Sequence, residues 1–520
     1  MKSLAPHLVV LCVVPVLAVA NAFAAPDAGA LYRQHCAQCH GADRLGGMGP
    51  ALLPENLSRL RKPEAVNMIR DSRPAVQMPA FRELLKPEEI QALADYVYTP
   101  VSPMPAWGEK EIAASRVVHH APGSLPDKPS FQADPMNLFV VVEAGDHHVT
   151  ILDGDRLEPI HRFPSRYALH GGPKFTPDGR YVYFASRDGW ISKFDIWNLK
   201  TVAEVRAGIN TRNAAVSGDG KYVMVANYLP HTLVVLDAEL KPVKILPVTD
   251  KAGKQSSRVS AVYDAAPRRS FVAALKDVKE VWEISYDPKA PEIPIGVIHD
   301  FQYREGAFVP GFLNPSRTEL QDYLDDFFFT PEYHELMGAS RDAGKGQVVH
   351  LDVRRKIADL DLPGMPHLGS GITFLHKGRR VMATPNLKEG VVSVIDIQDW
   401  KTVAQVKTLG PGFFMRGHEN SRYAWVDSMM SAEHKDTLQV IDTETLEVVA
   451  RLRPEPGKTL AHVEFTRDGS RVLASLWEND GALIVYDAVT LKEVKRIPMK
   501  KPVGKYNVYN KVTRSSGTSH

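Results

Sequence analysis

The sequence predicts a small all-α domain followed by a large all-β domain that is built as an eight-bladed propeller. The chain has 520 residues, 44% of them hydrophobic, which is more than one ordinary core accommodates. Helical apolar patterns occur near the N-terminus, whereas a β-rich unit that ends in Asp recurs along the rest of the chain. The net charge is +2 and the basic residues are scattered, so nucleic acid is not an expected partner.

Residues 1–24 have the pattern of a secretory signal peptide. Lys2 supplies the positive start, residues 8–20 are apolar, and small residues surround Phe23. A membrane anchor is the alternative, but the apolar stretch is shorter than the roughly 20 residues that a spanning helix needs. We therefore expect a periplasmic protein with no membrane span.

The three cysteines differ in their surroundings. Cys12 lies in the expected signal peptide, and the other two form the motif Cys36-x-x-Cys39-His40. In an oxidising compartment Cys36 and Cys39 could form a disulfide. Their spacing instead matches c-type heme attachment, in which both thiols form thioethers and the adjacent histidine binds the iron. The motif therefore predicts one covalently bound heme c, held by Cys36, Cys39 and His40.

Two predicted helices surround this motif. Residues 28–36 have the pattern of a first helix, and residues 87–98, with Pro at their start, that of a closing helix. Together with the motif they resemble a class I cytochrome c, which we expect over residues 27–98.

A loop methionine is the expected second axial ligand of this heme. Met78 precedes the closing helix, and its thioether would raise the heme potential, which suits an electron acceptor. Met48 is the competitor, although a methionine so close to the attachment motif more often packs against the heme edge.

A Pro-rich linker over residues 99–135 precedes the repeating unit, which predicts a propeller over residues 136–510 and a flexible tail over 511–520. Intervals of roughly 40 to 50 residues are typical of four-stranded blades. A longer interval before the fifth marker predicts an insertion around residues 322–326. The eight Asp markers are Asp153, Asp195, Asp237, Asp287, Asp352, Asp396, Asp442 and Asp487.

A c-type domain joined to an eight-bladed propeller resembles the cytochrome cd1 family, whose propeller carries heme d1. The resemblance covers nearly the whole mature chain and is most specific in residues 167–170, 186–197 and 504–510. It implies that His170 is the proximal ligand of the d1 iron. It also implies that three arginines hold carboxylates of the macrocycle, a task that suits a guanidinium fork, although each could be an ordinary solvated turn residue. These arginines are Arg187, Arg212 and Arg258.

Two more histidines resemble the family's distal histidines. His367 resembles one that faces the sixth position of the d1 iron, where it could be a ligand. His418 resembles the second, although a histidine in a blade turn is an equally good interpretation. These matches leave nitrite reduction open.

His462 occurs where the reductase pattern has no matching histidine, and this makes the chain most similar to NirN-type relatives. Those relatives are dihydro-heme d1 dehydrogenases, which convert a propionate of the macrocycle to acrylate, whereas NirF-type proteins resemble only the propeller. The resemblance favours His462 as the base, and Tyr506 as the group that orients the carboxylate or relays a proton. Each could instead be a packed blade residue.

We therefore expect a periplasmic oxidoreductase of heme d1 biosynthesis that dehydrogenates dihydro-heme d1 and passes the electrons through heme c. One alternative is a carrier that delivers heme d1 to nitrite reductase, and another is a divergent cytochrome cd1 nitrite reductase. The expected partners are the tetrapyrrole and, transiently, nitrite reductase or a redox protein.

Overall fold

The computed structural model describes residues 25–47, 49–57, 60–71, 78–103, 105–169, 171–295, 307–339 and 345–515. The expected signal peptide, Met48, His170 and residues 516–520 lie outside the described residues. Within the described ranges, no helix has the length and apolar character needed to cross a membrane.

Helices make up the N-terminal part of the described chain. They are α1 (Ala28–His35), α2 (Ala37–His40), α3 (Pro54–Leu57), α4 (Lys62–Asp71) and α5 (Pro87–Val97). Asp27 begins α1 by accepting a hydrogen bond from Ala30 N at 3.0 Å. Helices α1 and α4 both pack against α5, and Tyr32 and Leu93 are buried between them.

Residues 99–135, expected to form a linker, add structure to the propeller. They contain α6 (Glu109–Ser115) and β1 (Val117–Val118), and β1 pairs antiparallel with a propeller strand through Val117 and Glu204. Ile112 of α6 is buried in a core that includes Val205. This segment therefore packs against the propeller through apolar side chains, a role that its proline-rich composition did not indicate.

The remaining strands follow residue 135. The first of them are β2 (Leu138–Glu143), β3 (His148–Asp153), β4 (Glu158–Pro164), β5 (Lys174–Phe175), β6 (Tyr181–Ala185), β7 (Trp190–Asp195), β8 (Lys200–Arg206), β9 (Asn210–Val216), β10 (Tyr222–Leu229), β11 (Thr232–Asp237), β12 (Pro242–Pro247), β13 (Val259–Ala265), β14 (Ser270–Leu275), β15 (Glu280–Ser285), β16 (Ile293–Ile295), β17 (Ala307–Val309) and β18 (Pro315–Glu319). They are followed by β19 (Asp326–Phe329), β20 (Glu335–Ala339), β21 (Gly346–His350), β22 (Arg355–Leu360), β23 (Ile372–His376), β24 (Arg379–Pro385), β25 (Val391–Asp396), β26 (Thr402–Lys407), β27 (Met415–Arg416), β28 (Tyr423–Asp427), β29 (Leu438–Asp442), β30 (Val448–Leu452), β31 (Leu460–Phe465), β32 (Arg471–Leu476), β33 (Gly481–Asp487), β34 (Glu493–Met499), β35 (Pro502–Asn507) and the helix α7 (Val508–Val512).

These strands form eight antiparallel blades, which confirms the predicted propeller. Blade 1 joins β35 to β2, β3 and β4, with Tyr506 opposite Val140, so the C-terminal strand closes the ring. Blades 2 to 8 are β5–β8, β9–β12, β13–β15 with β18, β19–β22, β23–β26, β27–β30 and β31–β34.

The Asp markers owe their recurrence to a turn. Most of them end the third strand of a blade, whereas Asp287 and Asp352 follow that strand by two residues. In the first blade, Asp153 Oδ1 accepts hydrogen bonds from Asp155 N at 2.8 Å and Arg156 N at 3.1 Å. An Asp at this position therefore stabilises the turn into the fourth strand.

The insertion lies earlier than the sequence indicated. A separate hairpin, β16 with β17, interrupts blade 4 between β15 and β18. Residues 322–326 instead lead into β19, the inner strand of blade 5. Their acidic, turn-like composition is that of a loop leading into a strand. The long interval between Asp markers therefore correctly predicted an insertion, but the predicted position of the insertion was wrong.

Adjacent blades pack face to face, which is why both faces of the central strands are apolar. Between blades 3 and 4, for example, Met224 and Val235 share a core with Phe271 and Trp282. Because neighbouring strands are antiparallel, the loop between the second and third strands and the loop into the next inner strand leave the ring at the same rim. We call this the upper rim, and the opposite one the lower rim.

Residues 511–515, expected within a flexible tail, are ordered against the lower rim. Ser515 Oγ donates a hydrogen bond to Glu419 Oε2 at 2.5 Å, and the guanidinium of Arg514 lies 5.8 Å from the centre of the Tyr333 ring. These C-terminal residues line a cavity of about 520 Å³ at this rim.

Candidate functional site

The predicted heme-attachment residues lie at a break between two helices. Cys36 follows α1, and Cys39 and His40 belong to α2. Cys36 and Cys39 form no disulfide with each other, so that alternative is wrong. Nδ1 of the buried His40 lies 2.8 Å from the carbonyl oxygen of Pro50, which leaves Nε2 to bind a metal. Burial also lowers the pKa of His40 and so favours the neutral imidazole.

The surroundings of His40 fit heme c. A Cβ built on Gly49 would lie 2.7 Å from His40 Cε1, so only glycine lets this loop approach the imidazole. Met78 is half-buried and packs in the same apolar cluster as Cys36 and Phe81. A pair of thiols, a neutral histidine and an apolar pocket with a nearby thioether are the donor set of a c-type heme.

The remaining described candidates all belong to the upper part of the central channel. Most occupy upper-rim loops or the start of inner strands, and Tyr506 lies further along the inner strand β35. They come from blades 1 to 4, 6 and 8 and are Arg187, Arg212, Arg258, His367, His462 and Tyr506.

His367 has the geometry of a metal-binding histidine. It is buried, and its Nδ1 lies 2.7 Å from the carbonyl oxygen of Phe413. Nε2, the other ring nitrogen, lies 3.9 Å from Asp326 Oδ2. Burial lowers the pKa of His367, which favours the neutral form that binds iron.

A β-bulge directs His462 into the channel. The pairing of β31 with β32 shifts register between Ala461 and Val463, so His462 is the extra residue, and its φ of 50° lies in the left-handed region. Bulges of this kind redirect a side chain and often lie beside active sites. The imidazole packs against the Phe414 ring, with centroids 4.7 Å apart, and against Tyr506.

Tyr506 is fixed on the other side of His462. A Cβ on Gly172, whose φ is 71°, would lie 3.1 Å from the Tyr506 ring, so this loop needs glycine for both conformation and space. Burial raises the pKa of Tyr506 to about 12. The phenol is therefore a hydrogen-bond donor at neutral pH.

The three arginines form a basic arc on blades 2 to 4. Arg187 and Arg258 both lie beside Tyr228, with guanidinium carbons 6.0 and 5.6 Å from the ring centroid. Arg212 Nε donates to the carbonyl oxygen of Ser260 at 2.9 Å. Such an arc suits the carboxylates of a tetrapyrrole.

Arg258 already has a carboxylate partner. Its Nε donates to Asp277 Oδ2 at 2.9 Å, and this hydrogen bond raises the pKa of Arg258. Asp277 thus orients the guanidinium group of Arg258, and a ligand carboxylate can use the N–H groups that do not face Asp277.

The structure reveals buried charges that the sequence analysis missed. Lys505 donates to the carbonyl oxygen of His462, and Glu464 Oε2 lies 3.9 Å from Lys511 Nζ. Burial lowers the pKa of Lys505 and Lys511 well below the usual value, and that of Lys174 to about 8. For Glu464 and Lys505 the available signal was a charged residue within a strand-forming run, which sequence analysis usually interprets as an exposed position. Lys511 lies in α7 and offered no such signal.

His418 lies far from this group. It follows β27 on the lower rim, where its Nδ1 accepts a hydrogen bond from Asn420 N at 3.1 Å and its ring lies 5.7 Å from that of Phe465. His418 is therefore a blade-turn residue and not a second distal histidine.

The heme-attachment loop contacts the propeller. The guanidinium of Arg206 lies 4.7 Å from the centre of the Trp107 ring and donates to the carbonyl oxygen of Leu45, five residues after His40. Leu53 shares an apolar cluster with Ile209 at the start of blade 3. These contacts join the helical unit to the upper rim.

Comparisons with known proteins agree with this architecture. Residues 133–304 and 309–511 match the family model of the cytochrome D1 heme domain, and residues 24–97 match that of cytochrome C oxidase, cbb3-type, subunit III. Protein NirF of Pseudomonas aeruginosa is 30% identical over 385 residues, which are 71% of this chain and 90% of NirF.

Two comparisons extend over almost the whole chain. The dihydro-heme d1 dehydrogenase of Pseudomonas aeruginosa is 56% identical over 504 residues, which are 97% of each chain. A solved structure of dihydro-heme d1 dehydrogenase NirN in complex with DHE, also 56% identical, has a TM-score of 0.85 and covers 93% of this chain and 99% of that one. The chain therefore belongs to the cytochrome D1 heme domain family and, within it, to the NirN-type dihydro-heme d1 dehydrogenases.

Proposed function

We propose that this chain is an oxidoreductase of heme d1 biosynthesis that dehydrogenates a propionate side chain of dihydro-heme d1 to acrylate. The observation that carries the proposal is the contact between His462 and Tyr506 in the same channel as His367. A proton acceptor and a phenol beside a metal-binding histidine are what this reaction requires.

Substrate binding uses the upper channel. His367 offers Nε2 to the iron of the substrate, and Arg187, Arg212 and Arg258 bind its carboxylates. His170, as the ligand on the opposite face of the iron, is a prediction from the sequence motif alone.

The reaction removes two protons and two electrons from adjacent carbons of the side chain. His462 accepts one proton. Tyr506, protonated at neutral pH, orients the carboxylate and relays the other proton by taking it up as its own hydroxyl proton passes to solvent. Lys505, hydrogen-bonded to the carbonyl oxygen of His462, holds the backbone of that residue. Heme c, which Cys36, Cys39, His40 and Met78 would hold, would accept these electrons one at a time and pass them to the redox partner that reoxidises it.

The rest of the assignment follows from this role. We propose that residues 1–24 are a signal peptide, that residues 27–98 form a class I cytochrome c domain and that the mature protein works in the periplasm. Transient partners would be a redox protein that reoxidises heme c and nitrite reductase as the recipient of finished heme d1.

The test is anaerobic incubation of the heme c holoprotein with dihydro-heme d1. We expect product with two hydrogen atoms fewer by mass spectrometry, together with reduction of heme c in the visible spectrum. Binding without conversion would instead indicate the carrier. Nitric oxide formation from nitrite after loading with heme d1 would indicate the reductase.

A further inference from the structure

A single buried carboxylate connects the two histidines of the upper channel. Asp427 ends β28, the second strand of blade 7, and none of its surface is exposed. Burial raises the pKa of Asp427 to about 6, while backbone N–H donors oppose that rise. Asp427 accepts hydrogen bonds from backbone N–H groups, so it acts on the two histidines through the backbone around them.

The carboxylate holds a two-residue segment from both sides. Asp427 Oδ1 accepts a hydrogen bond from Phe413 N at 2.8 Å, and Oδ2 accepts one from Phe414 N at 3.1 Å. Asp427 N in turn donates to the carbonyl oxygen of Phe414 at 3.2 Å. Because consecutive N–H groups use different oxygens, the segment is fixed in both position and orientation.

This segment touches both histidines. The carbonyl oxygen of Phe413 lies 2.7 Å from His367 Nδ1, and the Phe413 ring centroid lies 4.2 Å from that of His367. The Phe414 ring centroid lies 4.7 Å from that of His462. Asp427 also contacts His462 directly, since Oδ2 accepts a hydrogen bond from His462 N at 3.4 Å.

We propose that Asp427 is a positioning residue that sets His367, the metal-binding histidine, and His462, the proton acceptor, in fixed relation to each other. Its role for His462 rests on the proposed function, whereas its role for His367 needs only binding of the macrocycle. A bulge residue with positive φ such as His462 keeps its conformation only where surrounding contacts hold it. Outer partners of metal-binding histidines typically change affinity or activity by about 10- to 100-fold.

Asp427→Asn is the informative variant, because an amide has only one acceptor oxygen. In either orientation of the amide, its NH₂ group faces the N–H of Phe413 or that of Phe414. Two donors then face each other, so the segment has to shift. The matched control is Asp436→Asn. Asp436 is a buried carboxylate of the same blade, whose Oδ2 accepts hydrogen bonds from Gly457 N at 2.5 Å and Arg453 Nε at 2.9 Å.

Three measurements separate positioning from general damage. Circular dichroism checks folding, titration with heme d1 reports iron ligation through the absorption spectrum, and single-turnover conversion of dihydro-heme d1 reports His462. We expect Asp427→Asn to fold, to bind heme d1 with a shifted spectrum and to convert the substrate about 10- to 100-fold more slowly. The control should retain the wild-type spectrum and rate within about twofold. In a His462→Ala background, Asp427→Asn should cause a smaller further loss of rate than in the wild type, and this remaining loss reports its effect through His367.

Two results would overturn the proposal: a wild-type spectrum and rate in Asp427→Asn, or equal changes in both variants. If Asp427→Asn does not fold, Asp427→Glu, which keeps the charge but displaces it, is judged by the same outcomes. A wild type that binds the substrate without converting it refutes the proposed function. In that case the heme d1 spectrum of Asp427→Asn still decides the role at His367.

Discussion

The imidazole of His462 and the phenol ring of Tyr506 lie edge to face, with centroids 5.2 Å apart and planes at 70°. They come from the inner strands β31 and β35, which belong to blades 8 and 1. Closure of the ring by the C-terminal strand is thus what creates the pair. A residue of the last strand takes part in the site because that strand is also the first blade's inner strand.

Replacing Cys36 and Cys39 by Ala should remove covalent heme and leave the propeller folded. Blades stabilise one another through their own interfaces, independently of the helical unit. Acid-acetone extraction measures the heme that remains with the protein, and circular dichroism measures the β-structure. Heme retained after extraction would refute the attachment assignment.

His367→Ala should weaken the binding of heme d1 and shift its spectrum, because the variant loses the imidazole that we propose as an iron ligand. His170→Ala should do the same if the sequence motif identifies the proximal ligand. Titration of each variant with heme d1 tests both assignments separately. A variant with unchanged affinity and spectrum would show that its histidine is structural.

His462→Ala should bind dihydro-heme d1 but convert it about 10²- to 10⁴-fold more slowly, the usual contribution of a general base. Binding is measured by titration and conversion by single-turnover absorbance. His418→Ala is the matched control, since it removes another buried histidine on the opposite rim. Equal rates in the His462 variant and the wild type would transfer the base role to Tyr506 or to a carboxylate of the substrate.

Asp264→Asn should stabilise the protein at pH 8 relative to pH 4. Burial raises the pKa of Asp264 to about 7 from 3.8, so the folded state binds the proton more tightly and stability falls as pH rises through this window. Asparagine keeps the hydrogen bonds from Tyr286 Oη at 2.9 Å and Gly218 N at 3.3 Å, because both use Oδ1. We expect a gain on the order of 1 kcal/mol at pH 8, measured by denaturant unfolding.

Asp436→Asn should change the stability in the opposite direction. Burial alone would raise the pKa of Asp436, but hydrogen bonds from Arg453 and Gly457 lower it to about 2. Its carboxylate is therefore stabilising above pH 3.8, and the variant should lose stability at pH 5 and pH 8 alike. A loss of stability in Asp264→Asn at pH 8 would contradict the assigned cost of ionising that group.

Arg206→Ala should slow the reduction of heme c by bound substrate without changing the covalent heme content. The side chain joins Trp107, the carbonyl oxygen of Asp188 at 2.8 Å and the carbonyl oxygen of Leu45, so its loss weakens the attachment of the heme-attachment loop to the upper rim. Stopped-flow absorbance measures the rate. The control is Arg422→Ala, which breaks a 2.6 Å hydrogen bond to Asp442 within blade 7. Wild-type kinetics in Arg206→Ala would show that the Arg206 contact does not couple the helical unit to the propeller.

Local patterns were sufficient for the architecture. The Cys36-to-His40 motif predicts heme attachment because five consecutive residues contain the required chemistry. The Asp markers predicted eight blades because seven of the eight accept a backbone hydrogen bond within a turn of their own blade. Errors arose where the amino-acid composition of a segment is compatible with more than one structure, as in residues 99–135, 322–326 and 511–515.

The site itself depended on tertiary structure. His418 and His462 are both histidines near an inner strand. Strand direction places His418 on the lower rim, whereas a bulge directs His462 into the channel. Asp427 resembles any Asp that ends an apolar strand, and its hydrogen bonds join β28 to Phe413, in the loop before β27, and to His462 of β31. Sequence patterns report periodicity and local hydrogen bonding, whereas the direction and burial of a side chain depend on register and on neighbouring blades. The sequence by itself therefore determined the heme motif, the propeller and the family resemblance, and tertiary packing decided which charged and aromatic residues share the channel.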